Sequence, residues 1–472
     1  MKPKYRSVQS LSVSFIAFSL VGLSSHSVNA ANLVWDGSSS TLWSAGANWN
    51  KGTVPLAADT ATFNSAVGNS TIDLGVAGAT IKVLAFDTAN AGSFTIGAGA
   101  VGSQTLTLGD TGLVSSAALV TNNQLINANL SLGTATASTY TVSNSGSGNL
   151  TFAGAISGGS GGTAGAKTLA FGGVGTTNVS GAISNGGSTS LAVTASAGLL
   201  TFSGTNTYTG GTLISGGVLQ VSNFGNQGST TSNIGTGSVK FGTTTGTGTL
   251  KYTGDGETAN RTIDLSGTTF GGTLDASGSG LFKLTSDFTA TGAGVKTLTL
   301  TGSGAGEIAG KIVNNSGSNT TALTKSGSNT WTLSAANTYT GLTDVQAGTL
   351  AYGVSDAIAS GAVRVSGGTL DISSYSDTVG AVTLTGGSIT GSTGVLTGTS
   401  YGVQSGSIGA ILAGSGAVTK TTASTVTLSG TNTYAGITSI NAGVLSVASL
   451  ANGGSASNIG SITHFHAAIG SG

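Results

Sequence analysis

The sequence predicts an all-β chain wound as a parallel β-solenoid, and three observations carry that prediction. One stretch occurs three times, near residues 200–219, 331–350 and 426–445. Aligned, the copies place Phe202, Leu333 and Leu428 in one column, Ile214, Val345 and Ile440 in a second, and Leu219, Leu350 and Leu445 in a third. Tolerant columns such as Leu213, Asp344 and Ser439 alternate with these, and a period of two marks strands with one buried face. The second observation is the 81 glycines in 472 residues, because the tight corners of a solenoid demand backbone angles that glycine adopts without strain. The third is the scarcity of proline, Pro3 and Pro55 alone, which leaves backbone N–H groups free for a long strand ladder. One such unit cannot bury its own apolar face, so units must stack.

Between the strands each copy carries a turn: Asn206-Thr207-Tyr208, Asn337-Thr338-Tyr339 and Asn432-Thr433-Tyr434. Leu323-Thr324-Lys325 and Val418-Thr419-Lys420 open the second and third copies, while the first has Thr194 where the lysine would fall. With the apolar strand ending in Ala-Gly-x-Leu, this pattern resembles the autotransporter-associated β-strand repeat proteins, large secreted bacterial chains. The resemblance implies a right-handed solenoid at or beyond the outer membrane, and the general preference for right-handed crossovers agrees. It implies no particular activity, since the repeat goes with passenger folding and export.

In chain order, residues 1–30 read as a secretory signal peptide. Lys2, Lys4 and Arg6 form a basic start, Leu11 to Leu23 an apolar run, and Val28-Asn29-Ala30 a small-residue cleavage site; the run is too short to anchor in a bilayer. Residues 31–75 hold Trp35, Trp43 and Trp49 and read as an N-terminal aromatic cap over the open end of the solenoid. The sharper alternative for these rings is a sugar-stacking platform. Residues 76–460 read as one continuous solenoid, supported by two echoes. Gly165-Ala166-Lys167-Thr168-Leu169 returns as Gly294-Val295-Lys296-Thr297-Leu298, and Ser232-Asn233-Ile234-Gly235 as Ser457-Asn458-Ile459-Gly460. Residues 461–472 depart from the pattern, so either the sequence is truncated there or the protein is released.

Composition excludes several classes of function. Loss of the leader leaves a slightly acidic chain with no basic patch for nucleic acid. There is no cysteine, so neither disulfides nor thiolate metal sites arise. Charged residues make up 6% of the chain, and no acid lies between Asp110 and Asp255. A glycosidase needs two carboxylates about 5–10 Å apart. The close pair Asp255 and Glu257 reads as a solvated turn, as do Asp371 and Asp377. His464 and His466 alternate on a strand, yet lack a third ligand for a metal. With His26 in the leader and His464 and His466 in the off-pattern tail, no histidine remains elsewhere to serve a serine nucleophile. Lys167 lies in a phosphate-loop-like stretch, but a strand rather than a helix follows it.

The function expected is a secreted or cell-surface structural or adhesin-like solenoid on a Gram-negative-type bacterium, with repeats that support export, folding and display. No catalytic, cofactor or metal site and no integral membrane segment is expected; a polysaccharide or a host or neighbouring cell surface is the partner. The alternative is a carbohydrate-active β-helix lyase or hydrolase whose acids converge only in three dimensions. The three corner tyrosines are expected to pack their rings inward with wet hydroxyls. The aligned apolar columns should be buried, and Asp344 and Ser439 should face solvent.

Overall fold

A computed structural model of the protein describes residues 30–65, 69–134, 137–159, 165–242, 246–452 and 454–461, and the backbone of 465–467. The leader expected over residues 1–30 therefore lies outside the described residues, apart from Ala30, and so does His464. Short strands stack in parallel into three long ladders. The first runs from Asn32–Val34 to Ile263–Leu265. The second begins at Thr71–Ile72 and continues to Phe465–Ala467. The third opens at Glu257–Ala259 and ends at Val444–Val447. One 3₁₀ turn, Gly46–Asn48, interrupts the strands near the start. No helix among the described residues is long and apolar enough to cross a membrane.

The ladders form because alternate residues point inward. In Leu199–Phe202, Leu200 and Phe202 are buried while their neighbours are half-covered, and Leu200 sits over Leu219 and under Thr177 in register. The result is one apolar core from Leu33 to Tyr434. At its first end the three tryptophans lie inside it. Trp35 and Trp49 meet edge to face at 5.1 Å, Trp43 and Trp49 at 4.8 Å, and Phe63 closes the cluster. The indole N–H groups of Trp35 and Trp49 donate to Asn69 O and Trp43 O respectively. A sugar platform needs exposed rings, and these are buried.

Homologous strands do not stay in one ladder. The Phe202 strand belongs to the second ladder, whereas the Leu333 and Leu428 strands belong to the third. The change occurs between residues 253 and 265, where the third ladder begins over the loop 222–237 and the first ladder ends.

Four expectations about the repeats are corrected by the packing. Asp344 is buried rather than exposed. It lies on the outward face, with Thr343 and Val345 inward, but Arg364 from the next rung lies across it. Ile440 and Leu445 are only half-buried; among the described residues no strand stacks on Val444–Val447, which holds Leu445. The counterpart of Lys325 in the first copy is Ala195, not Thr194. Ala195 faces Ile214 as Lys325 faces Val345, and the intervening turn is a residue shorter. The fourth concerns the tyrosine hydroxyls, described below.

Candidate functional site

The repeated corner carries the same set of buried polar contacts in all three copies. Each copy places an asparagine, a tyrosine and a threonine in the same relation. Asn206 Oδ1 accepts from Ile183 N at 2.7 Å in the rung before, and its Nδ2 donates to Asn233 O in the rung after. Asn337 links Ile312 N at 2.7 Å to Ala357 O at 2.6 Å. Asn432 links Leu412 N at 2.8 Å to Asn458 O at 2.6 Å. Three rungs are thus fastened by one side chain that is itself buried.

The tyrosine packs behind it, and its hydroxyl is not wet. Tyr208 bonds Thr212 Oγ1 at 2.7 Å, Tyr339 bonds Thr343 at 2.8 Å and Tyr434 bonds Thr438 at 2.7 Å. The partner is four residues on, inward-facing at the start of the next strand, so ring and hydroxyl are satisfied inside the core. Burial drives all three phenols upward, Tyr434 to about 12, so they remain neutral. In the Ala-Gly-x-Leu segment and its variants, Gly217, Gly348 and Gly443 have φ of 62°, 61° and 72°. A Cβ there would also sit within 2.5 Å of a neighbouring rung's backbone, so only glycine fits.

The lysine that opens the later copies points inward as well. Leu323-Thr324-Lys325 alternates buried, half-exposed, buried. The Lys325 ammonium donates to Ser326 O at 2.8 Å, Gly327 O at 3.0 Å and Ala347 O at 3.1 Å. Burial lowers its pKa to about 8, since backbone carbonyls alone compensate the charge. Lys420, Lys296 and Lys167 meet corner carbonyls in the same manner. The phosphate-loop-like lysine is therefore a corner filler.

The acids considered from sequence serve the scaffold. Glu257 accepts Phe224 N at 2.8 Å and also Gly225 N, while Asp255 accepts from Ser279 Oγ at 2.9 Å. Asp371 accepts Ser373 N and Thr390 Oγ1. The pair is not a solvated turn at Glu257, because the loop 222–237 reaches across to it. Asp377, read as a solvated turn, is buried. It continues the asparagine column, with Oδ2 accepting Ile358 N at 2.9 Å, and burial pushes it up to about 6. Burial, and then the Asp377 carboxylate, raises the neighbouring Tyr352 phenol well above its ordinary range. His466 lies in the strand Phe465–Ala467, which pairs with Thr438–Ile440. Among the described residues, no three His, Cys, Asp or Glu side chains converge as a metal-binding group.

Sequence reasoning missed two features. Asp110, Tyr140 and Lys167 meet on the flank of the N-terminal half: the Tyr140 hydroxyl donates to Asp110 at 3.2 Å and the Lys167 ammonium lies 5.9 Å above the ring. Asp110 also lines a groove of about 410 Å³ with Lys82, Thr107 and Thr134. Burial and then Asp110 raise the Tyr140 phenol well above its usual range, so it donates a hydrogen bond rather than acting as a nucleophile. Arg261, the other feature, is fully buried in the loop 222–237. No local pattern announces either, because their partners lie a rung away.

Parallel ladders, corners that fasten successive rungs and a continuous apolar core define a parallel β-solenoid of stacked rungs. Residues 195–221, 323–351 and 418–447 match the family described as passenger-associated-transport-repeat. The chain therefore carries three such repeats, and they coincide with the three Asn-Thr-Tyr corners. No curated protein and no solved structure matches the chain.

Proposed function

We propose that this chain is a secreted or cell-surface passenger of a Gram-negative-type bacterium, whose solenoid serves export, folding and display, with adhesion to a polysaccharide or cell surface as its purpose. The observation that carries the reading is the corner asparagine. Because it accepts from the rung before and donates to the rung after, a rung is complete only when both neighbours are in place. Such a rod grows from a formed end, and stepwise addition of rungs suits a chain that emerges through a membrane from one end. With no cysteine in the chain, folding outside the cell needs no disulfide.

The carbohydrate-active alternative draws no support from the acids singled out for it, since Glu257 and Asp255 are engaged with the loop and with Ser279. Expression of the full chain in a Gram-negative host, with fractionation and protease shaving, tests the reading. The chain is expected outside the inner membrane, and Asn337→Ala should slow the appearance of its protease-resistant form. Retention in the cytoplasm, or polysaccharide turnover abolished by Asp255→Asn, would overturn it.

A further inference from the structure

The first ladder forks at Asp110, and a groove opens at the fork. The strand Thr105–Ser116 pairs with Ala79–Phe86 up to Leu108 on Ile81, and again from Leu113 on Val83. Lys82 therefore faces the four residues Gly109–Gly112, which bulge out of the pairing. Beyond the bulge the two halves part. Thr105–Leu108 carries Asn129–Leu132, while Leu113–Ser116 carries Thr141–Asn144. Within the bulge Thr111 has a left-handed φ of 58°, a conformation that a β-branched residue adopts only under strain. Bulges gather where a strand re-aims a side chain, and the side chain re-aimed here is that of Asp110.

Three buried neighbours frame the carboxylate. Tyr140, 0% exposed, donates its hydroxyl to Asp110 Oδ1 at 3.2 Å. Lys167, 6% exposed, directs its ammonium to Gly133 O and Gly158 O and lies over the Tyr140 ring. Gly133 passes so close that a Cβ there would stand 2.6 Å from Asp110 Oδ1, so a larger residue would push the carboxylate aside. Asp110 itself is exposed, and so are Lys82, Thr80 and Thr134. With Thr107, Ala57 and Ala58 they line the groove of about 410 Å³, which crosses four successive rungs.

This lining selects a chemistry. Threonine hydroxyls both donate and accept, a carboxylate accepts at about four positions, and an ammonium only donates. One charge of each sign among neutral hydroxyls suits a ligand that is itself neutral and rich in hydroxyls. A phosphate or a uronate would meet Asp110, and no aromatic residue lines the groove to stack on a nucleobase. The volume falls in the range of about 300–1,000 Å³ that small ligands fill. Asp110 is the one carboxylate among the described lining residues, whereas glycoside cleavage uses two about 5–10 Å apart. The groove is built to hold a sugar, not to cut it.

We propose that the groove at Asp110 is a carbohydrate-binding site for a neutral hexose unit of a polysaccharide. Asp110 keeps its bond to Tyr140 and accepts from two adjacent ring hydroxyls. Lys82 and the threonines bond the remaining oxygens, and the methyl groups of Ala57 and Ala58 meet the C–H face. The inference rests on the passenger reading for its polysaccharide, and gives that reading a place of contact on the rod.

Binding of the purified full chain to immobilised hexasaccharides of glucan, mannan and galactan, with oligogalacturonate as the acidic comparison, tests the site. At least one neutral series should bind, and the uronate should bind at least tenfold more weakly. Asp110→Asn keeps an acceptor for the Tyr140 hydroxyl but exchanges one oxygen for an amide donor, and should weaken binding at least tenfold. Lys82→Ala, an exposed change, should weaken it severalfold. Lys311→Ala, also exposed but far along the rod, should leave it unchanged. Unaltered tryptophan emission shows that each variant has folded, and bound sugar should slow amide exchange at residues 107–111. No binding to any neutral series, preference for the uronate, equal binding by Asp110→Asn, or release of free sugar would overturn the proposal. Retention of the chain in the cytoplasm would instead end the passenger reading, with the purified chain still deciding whether the groove binds.

Discussion

Asn337 accepts from one rung and donates to another, so alanine there orphans a buried amide and a buried carbonyl at once. Asn337→Ala should cost about 2–5 kcal/mol, read as a loss of hydrogen-exchange protection centred on Ile312 and Ala357. Asp377 occupies the same kind of position with a charge that burial opposes. Its folded pKa of about 6 lies above the ordinary 3.8, so its contribution is fully present below about pH 4 and is lost as the pH rises through 6. Asp377→Asn keeps an acceptor for Ile358 N and removes the charge. That variant should be more stable than the parent at pH 7, and its denaturation midpoint should not fall between pH 4 and 6 as the parent's does. A parent midpoint that is flat across that window would contradict the burial argument.

At the scale of the strand, the alternation that buries Leu323 also buries Lys325. The folded pKa of about 8 lies below the unfolded 10.5, so the unfolded chain holds its proton longer and stability should rise between those values. Lys325→Met should flatten that rise while leaving the fold intact, since Ala195 fills the same register position in the first copy. Denaturant titrations at pH 8 and pH 10.5 compare the two chains. The neighbouring strand shows the opposite sign. Burial alone would raise the Asp344 carboxyl, but hydrogen bonds from Arg364, Gln346 and Ser366 hold it below its ordinary value. Arg364→Ala removes both the cover and the charged partner of that carboxylate, leaving Gln346 and Ser366 on it, and should destabilise the rung by about 1 kcal/mol or less. The double change with Asp344→Ala should recover part of the loss, and a double-mutant cycle measures how much.

For the whole molecule, rungs couple chiefly to their neighbours, so damage should remain local. Leu333→Asp should abolish exchange protection in Gly306–Ile308 and Thr349–Tyr352, the strands paired with it, while leaving the tryptophan cluster folded. The start of the rod offers a second check. Ala31 N donates to Asp59 Oδ1 at 2.7 Å, and Asp59 is buried. Cleavage after Ala30 would place a charged α-amino group on that carboxylate. Asp59→Asn should then lower the stability of the processed chain more than that of a chain extended by a few residues, as thermal melts of the two forms would show.

The fold class, the rung-forming columns and the inward faces followed from sequence alone, because a strand's period of two is a local property. Phe202, Leu333 and Val345 needed no partner to be recognised as core. That Lys325 shares this inward face was shown by the structure. The corner bonds were decided by tertiary structure, because Asn206 and Asn233 meet across 27 residues and Asn337 and Ala357 across 20. Rungs of unequal length hide such pairs from any fixed spacing. The cover over Asp344, the buried hydroxyl of Tyr339 and the seat of Arg261 arise likewise from the neighbouring rung. In a solenoid the strand writes its face into its own residues, while the polar contacts that lock one rung to the next depend on how many residues lie in between.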